Sequence, residues 1–122
     1  MSERPLRTLF CIGNNQNFFD LPKSEIRPIW EGTMEFLSAL AALDGVDVIG
    51  TMDDDAHMVG PSTGWPWTAY VLADVRDQPT VREACNLLRT IMIGEHALWR
   101  YFAIEARMGR ELVIRTDVET AS

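Results

Sequence analysis

Residues Leu9, Phe10, Cys11 and Ile12 form an unbroken apolar run, and Ala69, Tyr70, Val71, Leu72 and Ala73 form another. Read as strands, both runs are apolar at odd and at even positions. Successive side chains on a strand point to opposite faces, so a sheet built from these strands has two faces that must leave water. That requirement narrows the fold more than any other feature of the chain. Whatever covers one face, something else must cover the other.

The flanking segments supply part of the cover. RTLFCIG (7–13) reads as a first strand, VDVIGTM (46–52) alternates as a second, and WTAYVLADV (67–75) is a third. Between the first two, Ile26, Trp30, Met34, Leu37 and Ala41 recur at helical spacing over 24–43. Ser24 is a suitable N-cap there, Pro28 falls near the first turn, and Asp44–Gly45 stops the helix. Asp77 can cap a second helix with Pro79 in its first turn and Val81, Cys85, Leu88 and Met92 along one face. Gly94 weakens the middle of that helix. Its pattern resumes through Leu98, Phe102 and Ala106 as far as Gly109, and ELVIR (111–115) then supplies a short fourth strand.

The order βαββαβ predicts an α+β, ferredoxin-like fold: an antiparallel four-stranded sheet with both helices on one face. At 122 residues the chain is expected to be a single domain over 1–122. Two helices occupy one face and leave nothing for the other. A second copy packing sheet against sheet is therefore expected, giving a homodimeric α+β barrel, with the space between the sheets as the pocket.

Composition excludes several classes of partner. A net charge of −7, with eleven basic residues scattered rather than grouped, argues against nucleic acid. No apolar run approaches the length of a membrane span, and MSERPLR is not followed by the apolar core of a secretory signal, so a cytoplasmic protein is expected. Cys11 and Cys85 each sit in an apolar segment, where a free cysteine behaves as a small hydrophobe. With no closed ligand set and no glycine-rich phosphate loop, neither metal nor cofactor is expected.

The segments LFCIGNNQNFFDLPKSEI, GWPWTAYVLADV and IGEHALWRYFAIEARMGRE resemble the small IacB-type proteins of bacterial clusters for catabolism of indole-acetic acid (auxin), within the wider dimeric α+β-barrel superfamily. The resemblance spans roughly residues 6–116. It implies a protein that acts on a small aromatic acid, an intermediate of indole-acetate degradation. That protein would be a cofactor-independent enzyme of oxygenase or isomerase type, or a non-catalytic binding or accessory subunit of the same pathway.

Four residues are the candidates for such a site. His96, placed on the second helix, shares a face with Arg100 four residues on. The histidine would act as catalytic acid–base and the arginine would hold a carboxylate; the alternative is a histidine with a structural role at the dimer interface. Trp67, at the mouth of the third strand beside Trp65, offers a flat surface for an aromatic ring, or else anchors the core or the dimer. Asn14 begins the carboxamide run Asn14, Asn15, Gln16, Asn17, which is either a turn or a neutral hydrogen-bonding rim that Phe18 and Phe19 close over. Asp53 and Asp55, with His57, are a weak metal site and a better solvated acidic hairpin.

Overall fold

The computed structural model describes residues 5–54, 59–60 and 66–113. Strand β1 (Leu6–Asn14) lies at the centre of the sheet, antiparallel to β3 (Ala69–Val75) on one side and to β6 (Phe102–Gly109) on the other. Strand β2 (Val46–Asp53) pairs with the outer side of β3, so the order is β2-β3-β1-β6, all antiparallel. Helices α2 (Ile26–Ala42) and α3 (Gln78–Thr90) pack on one face of this sheet. The architecture is the α+β, ferredoxin-like one. No helix among the described residues is long and apolar enough to cross a membrane.

The alternation in β1 and β3 decides which side chains meet the helices. Phe10, Ile12, Val71, Ala73 and Val75 are buried in one cluster with Ile29, Phe36 and Leu40 of α2 and Val81, Ala84 and Leu88 of α3. Leu9, Cys11, Tyr70 and Leu72 stand outside that cluster, on the face turned away from the helices. There Leu9 pairs with Leu72 and Cys11 with Tyr70. The Arg7 Nε donates to Asp74 Oδ1 at 2.6 Å beside them, and Glu105 and Arg107 form an ion pair at 2.9 Å on β6. Both faces of the central strands thus carry apolar side chains.

The first helical segment differs from the expected one in its start and in its orientation. A four-residue helix, α1 (Gln16–Phe19), and a 3-10 turn (Lys23–Glu25) precede α2, so Ser24 lies inside that turn and caps nothing. The face that packs on the sheet is Ile29, Gly32, Phe36 and Leu40. The stripe Trp30, Met34, Leu37, Ala41 lies beside it, with Trp30 and Met34 54% and 53% exposed. An apolar arc this wide carries two stripes at helical spacing.

The second helix is shorter than its periodicity predicts. Asp77 caps it as expected, its carboxylate accepting from the Thr80 N–H at 2.9 Å, with Pro79 in the first turn. It stops at Thr90, where the β-branched residues Thr90, Ile91 and Ile93 favour extended backbone. A small hairpin follows, β4 (Met92–Ile93) and β5 (His96–Ala97), turned by Gly94 at φ +61° and Glu95. Glycine leading a two-residue hairpin turn is the signature of a primed turn. A 3-10 turn (Leu98–Arg100) then leads into β6. The fourth strand of the sheet is therefore 102–109, within the stretch expected to be helical; residues 111–113 are in no strand, and 114–115 lie outside the described residues.

Candidate functional site

Between α2 and the sheet lies a cavity of about 510 Å³, within the roughly 300–1,000 Å³ of small-molecule pockets. One wall is the outer stripe of α2, with Trp30, Met34, Leu37 and Ala41. The floor is the helix-facing side of the strands, including Ile12, Val48, Ala69 and Val71. Phe102 closes one side, and Phe18 rests against its ring at 5.7 Å and against Trp30 at 6.4 Å. Phe19 stays largely in solvent, edge-on to Phe18.

The polar groups of this cavity are few and neutral, with one exception. The Thr33 hydroxyl donates to the Ile29 carbonyl at 2.8 Å and the Thr68 hydroxyl to the Ile12 carbonyl at 3.3 Å, so each keeps lone pairs free to accept. The side chains of Asn14 and Thr51 make no hydrogen bond among the described residues, and both line the cavity. The exception is the Asp53 carboxylate.

The four residues singled out from the sequence do not converge. Asn14, at the end of β1, lines the cavity. Trp67 precedes β3 and crosses the opposite face of β1, its Cε3 lying 3.3 Å from where a Cβ on Gly13 would stand. His96 is exposed on β5, so it shares no helical face with Arg100, whose place is the 3-10 turn after the hairpin. Arg100 instead lines a second recess, of about 670 Å³, between α3 and β6. The cavity itself is formed within one chain, by the helix-covered face of the sheet, and not between two sheets as expected.

The carboxamide run resolves residue by residue. Asn15 donates its backbone N–H to the Tyr101 carbonyl at 2.7 Å, and its side-chain amide reaches the Trp99 and Arg100 carbonyls at 3.4 Å each. The Asn17 amide donates to the same Arg100 carbonyl at 3.1 Å, and Gln16 bonds Asp20 at 3.0 Å. Asn15 and Asn17 therefore fasten the 98–101 turn to the start of α1. Asn14 alone is turned toward the cavity.

Among the described residues no group of three histidine, cysteine or carboxylate side chains is placed to hold a metal ion; Asp55, His57 and Trp65 lie outside them. The residues that sequence reasoning missed are Thr51 on β2 and Thr68 just before β3, while Asp53, weighed there only as part of an acidic hairpin, also lines the cavity. Plain strand parity puts Thr51 and Asp53 on the face of Asp47; the bulge between Val48 and Gly50 turns them to pair with Val71 and Ala69 on the helix-facing side, and the glycine inside the strand was the signal for it. Comparison with protein families, with curated proteins and with solved structures gives no match.

Proposed function

We propose that this protein takes a small aromatic catabolite into the cavity between α2 and the sheet, an intermediate of the indole-acetate type that the resemblance to IacB-type proteins implies, in the cytoplasm and as a homodimer. The observation that carries the reading is the cavity: an aromatic and aliphatic wall of Trp30, Leu37 and Phe102 facing a few neutral hydrogen-bonding groups. A flat ring gains by stacking and burial against such a wall. Asn14 and Thr51 have hydrogen-bonding capacity to spare for a ring N–H or a carbonyl. Asp53 disfavours a buried carboxylate, so the acid group of such a ligand stays at the mouth, in water.

The dimer is supported by the face turned away from the helices, where the half-buried Leu9–Leu72 pair forms an apolar centre between the Arg7–Asp74 and Glu105–Arg107 ion pairs, Cys11 and Tyr70 on the same face being already buried within the chain. A two-fold pairing of that face with its own copy would bury the centre and leave charge at the rim.

A non-catalytic role, as a binding or accessory subunit, is favoured over a cofactor-independent enzyme by one observation: exposed His96 and recess-lining Arg100 stand apart from the cavity. The test is a titration with neutral indole followed through the tryptophan indole N–H resonances, assigned with Trp→Phe variants. The Trp30 resonance should move most. A protein whose Trp30 resonance stays still at saturating indole would refute the reading. Mass analysis of incubated indole-acetate intermediates separates the two roles, unchanged ligand supporting the binding role and a new product the enzyme.

A further inference from the structure

The recess between α3 and β6 gathers positive charge in a chain whose net charge is −7. Arg7, Arg27, Arg76 and Arg107 each have a carboxylate within 4 Å. Arg89 and Arg100, which both line the recess, have none among the described residues. Both are exposed, Arg89 held by its side chain and Arg100 by its backbone. The Arg89 guanidinium carbon lies 4.7 Å above the Trp99 ring, a cation–π contact that fixes its position. The turn carrying Trp99 and Arg100 is fastened through its carbonyls by the Asn15 and Asn17 amides.

The rest of the lining suits an anion with an apolar body. Leu88, Phe102 and Ile104 form a floor, Asn86 stands beside Arg89's helix turn, and no carboxylate lines the recess among the described residues. Burial pushes the Cys85 thiol up, so it stays neutral and does not repel an anion. Two guanidinium groups without a counter-charge are the donors best matched to a carboxylate, which accepts two hydrogen bonds from each fork.

We infer that this recess is a binding site for a small carboxylate with an apolar body, its oxygens accepting hydrogen bonds from Arg89 and Arg100 and its body lying over Trp99 and the Phe102–Ile104 floor. The site meets the α2 cavity only at Phe102, which lines both, and does not rest on the function proposed for it. It gives Arg100 the carboxylate-holding chemistry that its residue type favours, at a place other than the one expected.

Benzoate and its neutral isostere benzamide test it, with the Trp99 indole N–H resonance as the reporter, assigned by Trp99→Phe. Benzoate should shift that resonance and benzamide should not. Arg89→Gln and Arg100→Gln, both at exposed positions, should each weaken benzoate about tenfold, and equimolar inorganic phosphate should fail to displace it. Equal shifts from benzoate and benzamide, undiminished affinity in both variants, or displacement by phosphate would each overturn the inference. So would a benzoate response at Trp30 that disappears when the α2 cavity is filled by Ala69→Leu, an outcome that leaves the cavity reading standing.

Discussion

Gly13 is where the fold tolerates least. A Cβ there would stand 2.3 Å from the Pro66 carbonyl oxygen and 3.2 Å from its carbon. Ordinary carbon–oxygen contact begins near roughly 3.3 Å, so Gly13→Ala must drive the strands and the crossing segment apart by about 1 Å. The segment is pinned: the Thr68 N–H donates to the Ile12 carbonyl at 2.8 Å and the Thr68 hydroxyl to the same oxygen at 3.3 Å. Overpacking of this kind costs about 1–3 kcal/mol, with about 1 kcal/mol more if the Thr68 bond is lost. For a chain of this size that lowers Tm by roughly 5–15 °C. Thermal melts by far-ultraviolet circular dichroism read it directly, with Gly50→Ala as control, because a Cβ on Gly50 meets nothing within 4 Å. The control should be neutral or stabilised by about 0.4–1 kcal/mol. Two variants that melt together would refute the close-approach argument.

Leu72→Asp, on the sheet face turned from the helices, should convert the proposed dimer into a monomer, and sedimentation of the wild type as one species near 13.8 kDa would contradict the dimer proposal itself. The Thr80 hydroxyl, then its backbone N–H, hold the Asp77 carboxyl below its ordinary value of 3.8. A depressed carboxylate contributes stability that is present above the ordinary value and lost as pH falls through the folded one. Asp77→Ala should therefore melt below wild type at neutral pH, and the gap should narrow as the pH is taken below 3.8; a constant gap would show that the carboxylate charge plays no part. Gly94→Ala should cost about 1–2 kcal/mol, because φ +61° places a Cβ in the left-handed region, and an unchanged melt would show that the hairpin turn is not required.

Three of the four strands of the sheet and its two helices were legible because strand parity and helix caps are local signals. Apolar runs on both parities marked β1 and β3, and Asp77 with Pro79 marked the start of α3. The end of α3 was misread because Leu98, Phe102 and Ala106 fall at helical spacing by coincidence: Leu98 is buried from the 3-10 turn, whereas Phe102 and Ala106 lie at even offsets along β6. Periods of 3.6 and 2 share every fourth position, so the pattern alone did not separate them. The β-branched residues around Ile91 and the glycine at 94 carried the distinction. That misreading put His96 on a helix beside Arg100. The cavity was hidden for a different reason, since Trp30 and Met34 belong to an apolar arc too wide for one stripe, and only the packing of Phe36 and Leu40 shows which half is core.

The central claim is that the space between α2 and the sheet holds a ligand. Ala69, on β3, lines that space and is partly buried, so Ala69→Leu fills it with three additional carbons from the floor. Calorimetric titration of neutral indole should give one site per chain in the wild type and no binding heat in a folded Ala69→Leu variant. Indole bound with equal affinity by both proteins would contradict the account.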